Sequence, residues 1–321
     1  MNEFFTGCLL GFAAGDALGA PLEGMSPSSI REEHGGPVED FLDWRYPAGS
    51  ITAVTQTMVV MAQALLELGR FEAEHLGFKL ARFIEYSDTG VKEARGLGLA
   101  TAAAARKLAI NTDIKKSSVE SGGCGPALRV APLGLRYFRT PSVMLEAAIE
   151  QAAVTHTGVE ALAGSVLMAC IIAACVRMAE SDEELDRLTM LEHLYHSIYE
   201  IDVEFAKKVS GLTEYLERPA ETGFAYTGTG GYSAEAVPAA LLAFMLSAED
   251  LEKTLATAAN AGGCASSIAA MAGAISGAHN GVSAIPKRLL SKLEGRDYIE
   301  GLANKLSVFI TDRRPKSRPF C

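Results

Sequence analysis

The sequence has few aromatic residues and few basic ones. Only 7% of the 321 residues are aromatic, and the formal net charge is −10. The only basic run, RRPKSRPFC, lies at the C-terminus, where a short charged tail is typical of a solvated end. Because nucleic-acid binding needs a basic face, this charge balance excludes a nucleic-acid partner.

Paired cysteines and targeting segments are also missing. The cysteines are scattered, with no C-x-x-C pair, at Cys8, Cys124, Cys170, Cys175, Cys264 and Cys321. A chain of this size does not need disulfide staples, so we expect reduced thiols and a cytoplasmic location. The N-terminus has no basic region and meets Asp16 early, which argues against a signal peptide. The longest apolar run, 161–176, is interrupted and shorter than the roughly 20 residues of a membrane span, so we expect no membrane partner.

What the sequence has in abundance is aliphatic residues at helical spacing. Hydrophobic residues make up 49% of the chain, mostly Ala, Leu, Val and Ile, which favours closely packed helices. We predict an all-α, compact orthogonal multi-helix bundle, with one domain over 1–321 and a basic tail at 311–321. The segment 133–138 is a weak candidate for a short extended piece. The predicted helices are 3–18, 57–68, 73–86, 98–108, 142–154, 158–179, 182–208, 234–246, 248–259, 266–279 and 286–293.

Two of these helices carry glycines every four residues. In the first helix they are Gly7, Gly11, Gly15 and Gly19, and a late helix repeats the spacing with the pair 273 and 277. Glycine costs about 1 kcal/mol against alanine inside a helix. Such a ridge therefore predicts that two helix backbones approach closely, by tight packing alone or in a way that brings loops together around a pocket.

Four segments place small and polar residues at helix ends. They are GDALGAPLEG (15–24), GSITAVTQT (49–57), SGGCGPALRVAPLG (121–134) and NAGGCASSIAA (260–270). Backbone N–H groups in such segments can cradle phosphates. Each segment alone is a weak signal, and four in one chain are a stronger one.

In this order, the segments resemble the ADP-ribosylglycohydrolase family. GCLLGFAAGDALGAPLEG looks like its N-terminal signature, and GSITAVTQTMVVMAQALLELG like its G-x-x-T-D-D-T-x-M segment. SGGCGPALRVAPLGL, THTGVEALAGSVLMA and NAGGCASSIAAMAGAISGAHNG resemble three later motifs in register. The resemblance runs from about residue 5 to residue 300. It implies the family's fold and hydrolysis of ADP-ribosyl bonds at a dinuclear magnesium site.

The chain departs from the family at the magnesium ligands. The resemblance implies aspartates at four positions, which here are Ala53, Val54, Cys264 and Ser266. Magnesium prefers hard oxygen donors, and a thiol is a poor ligand for it. We therefore predict no metal at the site and no cofactor.

The predicted catalytic residues are Glu23 and Asp16. Glu23 matches the family's flap glutamate, and its alternative is a solvated loop residue. Asp16 is expected to lie behind Glu23 and to assist it. The equally weighted alternative is that backbone amides hold the Asp16 carboxylate in a helix N-terminal turn. Cys264 at a helix N-terminus is expected to have a lowered pKa, although both it and Cys124 fit better as small space-fillers. A soft-metal site of these two cysteines with His156 has no support in the spacing.

The predicted ligand-binding residues come from the small and polar loops. The segments 121–129 and 228–231 would hold the diphosphate and adenosine side of an ADP-ribose-like ligand, as the resemblance implies. His156 is weighed more as a structural residue near a helix start than as a ligand contact. The full set is Thr52, Thr55, Ser121, Gly122, Gly123, Cys124, Gly125, His156, Gly228, Gly230, Asn260, Gly263, Cys264, Ser266 and Ser267.

Three functions follow. The first is a metal-independent hydrolase of an N-ribosyl or glycosidic bond in a nucleotide- or nucleoside-like substrate, with Glu23 as general base. The second is a catalytically inactive protein that binds ADP-ribose or a nucleotide as a sensor or regulator. A structural role, as in the family's crystallin relatives, has the least support. For both of the first two functions we expect the partner to be a small ribosyl or nucleotide molecule. The sequence does not fix the oligomeric state.

Overall fold

The computed structural model describes residues 1–86, 94–111 and 113–311, and this part of the chain contains helices and two isolated β-bridges but no strand. The all-α prediction is confirmed. The α-helices are α1 (Asn2–Gly19), α2 (Pro27–His34), α3 (Ala53–Leu68), α4 (Ala73–Tyr86), α5 (Leu99–Ile110), α6 (Ile114–Ser117), α7 (Gly125–Arg129), α8 (Ala131–Tyr137), α9 (Pro141–Ala153), α10 (Val159–Ser181), α11 (Arg187–Ile198), α12 (Val203–Ser210), α13 (Ala220–Thr227), α14 (Ser233–Met245), α15 (Leu251–Ala259), α16 (Ala265–Asn280), α17 (Lys287–Lys292) and α18 (Arg296–Thr311). Short 3-10 turns follow α1, α12 and α16.

The backbones of α1 and α16 are in direct contact. A methyl group on Gly11 would lie 2.3 Å from the carbonyl oxygen of Gly273, and one on Gly273 would lie 2.1 Å from that of Gly11. Near the other ends of the helices, Gly7 faces Gly277 and Gly19 faces the backbone of Ala265, so the helices run antiparallel. The predicted close approach is confirmed. It fixes the C-terminal end of α1 beside the N-terminal end of α16.

Two predictions of local structure are wrong. The single helix predicted over 182–208 is two helices. Asp182, with a φ of +56°, follows the end of α10, and Asp186 and Asp202 cap the starts of α11 and α12. The extended piece predicted over 133–138 lies largely in α8. Helices α2, α6, α7, α13 and α18 are not predicted by the sequence analysis. The tail residues 312–321, including Cys321, lie outside the described residues.

Two helices are long and apolar enough to cross a membrane by length and composition alone. They are α1, extended to Leu22, and α10. However, 94% and 72% of their most apolar stretches is buried inside the structure. Core helices of soluble proteins pass the same test, so these two helices are weak support for a membrane location.

The contact of α1 with α16 predicts the effect of one added methyl group. Gly11→Ala would place it 2.3 Å from the Gly273 carbonyl oxygen, so the helices must separate. Overpacking a tight core costs about 1 to 3 kcal/mol and occasionally more. Urea unfolding should show a loss of that size in the free energy of unfolding.

The matched control is Gly301→Ala in α18, where no atom beyond the neighbouring backbone of α18 itself lies within 4 Å of the added methyl group. Helix propensity alone acts at that position, so we expect a gain of up to about 1 kcal/mol. A similar change in the two variants would contradict the backbone contact.

Candidate active site

Five loops at the helix ends are joined to one another by backbone hydrogen bonds. They are residues 23–26, 260–264, 228–232, 119–125 and 154–158. The bonds run from Gly24 N–H to Gly263 C=O (2.7 Å), Gly263 N–H to Met25 C=O (2.9 Å), Cys264 N–H to Thr229 C=O (2.7 Å), Cys124 N–H to Gly231 C=O (2.9 Å), Ser233 N–H to Gly122 C=O (2.9 Å), Val119 N–H to Thr155 C=O (3.0 Å) and Thr157 N–H to Val119 C=O (3.0 Å). The loops therefore form one connected frame.

A cavity of about 640 Å³ lies within this frame and is lined by most of the predicted site residues. Ala53 and Val54, the first pair of implied ligand positions, also line it. The predicted residues on its wall are Glu23, Thr52, Ser121, Gly123, Cys124, Gly125, His156, Cys264, Ser266 and Ser267. The predicted residues that lie away from the wall are Asp16, Thr55, Gly122, Gly228, Gly230, Asn260 and Gly263.

Asp16 is fully buried and holds the N-terminus of α3. Its carboxylate accepts bonds from the backbone N–H and hydroxyl of Thr52 (2.8 and 2.7 Å) and of Thr55 (3.1 and 2.6 Å). Burial raises the pKa of Asp16 to about 6, and the four hydrogen bonds oppose that rise. This geometry matches the predicted alternative of a carboxylate held by a helix N-terminal turn. It also starts α3 at Ala53, four residues before the predicted start.

Glu23 bridges the loop after α1 and the start of α16. Its Oε2 accepts bonds from the backbone N–H (3.0 Å) and the hydroxyl (2.7 Å) of Ser266. A helix N-terminus favours negative charge, so the contact stabilises the carboxylate there. Glu23 is thus exposed but fixed, and it is the only carboxylate on the cavity wall in the described part of the chain.

The prediction of a lowered pKa for Cys264 is wrong. Cys264 does precede α16 as its N-cap residue, but burial and then the Glu23 carboxylate raise its pKa to about 12. Burial likewise raises the pKa of Cys124 to about 11, which a hydrogen bond with Ser267 opposes. Both cysteines are free thiols, and both stay protonated at neutral pH.

His156 offers a neutral N–H donor to the cavity. Burial, and then the charge of Arg129, lowers the pKa of His156 to about 3. Arg129 Nη2 donates to Thr155 Oγ1 (2.7 Å), which also lies 2.7 Å from His156 Nδ1, and we assign the hydroxyl proton of Thr155 to that second contact. With this assignment the imidazole proton is on Nε2, the nitrogen beside Gly123 and Gly125, where added methyl groups would lie 3.5 and 3.4 Å away.

The predicted cradle at 228–231 is closed by a carboxylate of the chain itself. Gly230 N–H donates to Glu235 Oε2 (2.8 Å), and methyl groups on Gly228 or Gly230 would meet the same carboxylate. Asn260 also makes internal contacts, with both backbone groups of Val38 (2.8 Å each). These predicted ligand-binding residues hold loops together instead. Of the segment 228–231, only Gly231 reaches the cavity wall.

One wall of the cavity, formed by residues 44–46 and 95–101, contains none of the predicted site residues. Arg95 anchors it, donating to both carboxylate oxygens of Glu294 (2.7 and 3.2 Å), while its backbone C=O accepts from Ala53 N–H (2.7 Å). Its guanidinium carbon lies 4.3 Å from the ring centre of Tyr46. The available signal was the aromatic-Arg-aromatic run WRY just before GSITAVTQT, but Arg95 and Glu294 lie 199 residues apart.

The residues at the implied ligand positions do not fit a dinuclear magnesium site. Ala53 and Val54 are apolar, Cys264 offers a protonated thiol, and the hydroxyl of Ser266 donates to Glu23. In the residues that the structure describes, no group of three His, Cys, Asp or Glu side chains is placed to hold a metal ion. Magnesium needs hard oxygen donors in octahedral geometry, which this set does not supply.

The buried carboxylate of Asp16 predicts a pH-dependent stability. Its pKa is about 6 in the folded chain, against 3.8 for an unperturbed aspartate, so the folded state keeps the proton longer as pH rises. Protonated Asp16 therefore adds about 3 kcal/mol to the free energy of unfolding below pH 4, and this stabilisation is lost as the pH rises to 6.

Asp16→Asn removes this titration, so it provides the comparison. Urea unfolding from pH 4 to 7 should show the stability of the parent chain, relative to Asp16→Asn, falling between pH 4 and 6. A difference that stays constant, or that grows with pH, would show that the folded-state pKa of Asp16 is not raised.

Comparison with known proteins places this site in a family. A model of the ADP-ribosylglycohydrolase family matches residues 2–316. The chain is 38% identical to a protein of Archaeoglobus fulgidus over 310 residues, covering 95% of this chain and 96% of the other. It is 27% identical to the ADP-ribosylhydrolase ARH3 of Gallus gallus, covering 94% and 92%. A solved structure described as an ADP-ribosylglycohydrolase-related protein complex superposes with a TM-score of 0.77 at 29% identity, covering 96% and 98%. The chain belongs to the ADP-ribosylglycohydrolase family.

Proposed function

We propose that the chain is a metal-independent hydrolase of an N-ribosyl or related glycosidic bond in a nucleotide- or nucleoside-like substrate. The observation that carries the proposal is the position of Glu23. It is a carboxylate on the cavity wall, held by two hydrogen bonds from Ser266, the residue at which the family resemblance implies a metal-binding aspartate. The family's hydrolytic chemistry supports the reaction class.

Glu23 would act as the general base. A water oxygen attacks the anomeric carbon, the bond from that carbon to the leaving group breaks, and the water proton passes to the carboxylate. Both bonds from Ser266 end on Oε2, so we assign proton acceptance to Oε1. The negative charge also offsets the positive charge that develops on the sugar ring in an oxocarbenium-like transition state.

The rest of the cavity suits a polar sugar or phosphate group. His156 supplies a neutral Nε2–H donor. It lies beside residues 123–125, which also line the cavity. In metal-dependent enzymes the metal ions stabilise the charge of the transition state by several kcal/mol, and the side chains that line this cavity do not supply an equivalent stabilisation. We therefore expect a substrate whose leaving group departs readily, such as an activated or nicotinamide-like base.

The second candidate is ligand binding without turnover, as a sensor or regulator. It is favoured by the same carboxylate: glycoside hydrolysis commonly uses two carboxyl groups, and the described cavity wall offers Glu23 alone. In this case the contact with Ser266 serves to close the loop over the ligand.

Glu23→Gln separates the two candidates. Glutamine keeps an oxygen that accepts from Ser266, so the loop and ligand binding should remain. Loss of a general base lowers turnover by about 10²- to 10⁴-fold. Chromatography of products from NAD, ADP-ribose and nucleosides, all in EDTA, measures the rate.

Ser266→Ala is the matched control, because it removes one bond to Glu23 and keeps the carboxylate. It should retain most of the turnover. Equal turnover by Glu23→Gln and the parent would contradict the mechanism. Ligand binding by the parent with no turnover of any bound compound would support the second candidate instead.

A further inference from the structure

An aromatic pair lies on the cavity wall that the sequence analysis missed. The backbone N–H of Trp44 donates to the C=O of Tyr46 (3.0 Å), which closes a tight turn and brings the two rings together. The ring centres are 5.1 Å apart and the planes meet at 75°, an edge-to-face arrangement. Both side chains line the cavity, and both residues are only partly buried.

The Tyr46 ring packs against a fixed cation that also lines the cavity. The guanidinium of Arg95 lies 4.3 Å from the ring centre of Tyr46 and is held by Glu294 and by the C=O of Ile51 (3.1 Å). A platform whose position is already fixed loses little conformational entropy when a ligand packs on it. The Tyr46 ring is therefore held in place before any ligand arrives, and the Trp44 ring packs against it.

The same cavity offers two different kinds of contact. One is polar, from the Nε2–H of His156 and the segment 123–125. The other is aromatic, from the rings of Trp44 and Tyr46, next to the exposed Arg45, whose guanidinium carbon is 5.5 Å from the Tyr46 ring centre. A sugar or phosphate alone satisfies the polar contacts and adds no flat ring that could stack on Trp44. A molecule that joins a sugar or phosphate to a flat ring satisfies both.

We propose that Trp44 and Tyr46 form a subsite that stacks the planar heteroaromatic base of the ligand. The inference rests on the proposed function, since it names the part of the substrate that distinguishes a nucleotide or nucleoside from other glycosides. Stacking of a base on an aromatic side chain contributes about 1 to 3 kcal/mol. Trp44 thus selects ligands by their base and sets how tightly they bind.

Trp44 also provides the probe, because it is the only tryptophan in the chain. Its fluorescence is titrated with adenine, nicotinamide, ribose 5-phosphate and ADP-ribose. The ring-bearing compounds should quench the emission to saturation, and ribose 5-phosphate should not. Quenching by ribose 5-phosphate alone would show that the pair stacks on sugar and would overturn the proposal.

Two variants test the energetics by calorimetry. Trp44→Leu should weaken ADP-ribose binding by about 5- to 150-fold, the equivalent of ~1 to 3 kcal/mol, and leave ribose 5-phosphate binding unchanged. Trp44→Phe should restore most of the affinity, which a merely unfolded loop would not allow. Equal affinity of the parent and Trp44→Leu for ADP-ribose would overturn the subsite while leaving the proposed function intact.

The opposite pattern separates the two claims. Saturable binding of adenine or nicotinamide that Trp44→Leu abolishes, with no binding of any ribosyl compound, would uphold the subsite and contradict the proposed function. Absence of binding by every probe would contradict both.

Discussion

The contact between the backbones of α1 and α16 determines the geometry of the whole cavity. Its glycines allow the two helix axes to approach until the carbonyl oxygens of one helix meet the α-carbons of the other. The C-terminal half of α1 then delivers Asp16 to the N-terminus of α3, and the loop that follows delivers Glu23 to the N-terminus of α16. Each carboxylate caps a helix that is distant from it in sequence. The helix ends that line the cavity are therefore held in place by α1 and the loop after it.

Behind the polar end of the cavity lies a buried positive charge. Arg129 is fully buried, and its hydrogen bonds end on neutral oxygens of Gln151 and Thr155. Burial lowers the pKa of Arg129 to about 9, yet the group remains charged at neutral pH. The bond through Thr155 orients His156, so the charge reaches the cavity as a fixed donor and a positive potential. That potential favours an anionic or electron-rich group, consistent with a phosphate-bearing ligand.

The sequence indicated this architecture where the signal is periodic and local. The four-residue spacing of glycines on two helices predicted their contact, and the motifs predicted several of the loops that line the cavity. The start of α3 was placed too late although Thr52 is its N-cap residue, because the Asp16 carboxylate that holds the same turn lies 36 residues away. The break within 182–208 was missed because apolar spacing outweighed two Asp caps in the prediction.

The chemistry of individual residues was harder to predict. A helix N-terminus can lower the pKa of a thiol, but for Cys264 burial and the Glu23 carboxylate raise the pKa. The sequence of the segment 228–231 predicts an anion-binding loop, but in the structure Gly230 N–H already donates to the Glu235 carboxylate. Trp44 and Arg95 belong to the site only through contacts with distant parts of the chain, which spacing does not report.

The central claim is that this cavity holds a ribosyl ligand without magnesium. Thermal melting of the chain with ADP-ribose, NAD or nucleosides, in EDTA and in magnesium, tests it most directly, because a ligand that binds only the folded state raises the melting temperature. The account predicts that at least one compound raises it equally under both conditions. A rise that appears only with magnesium would contradict the interpretation of Ala53, Val54, Cys264 and Ser266 as a lost metal site.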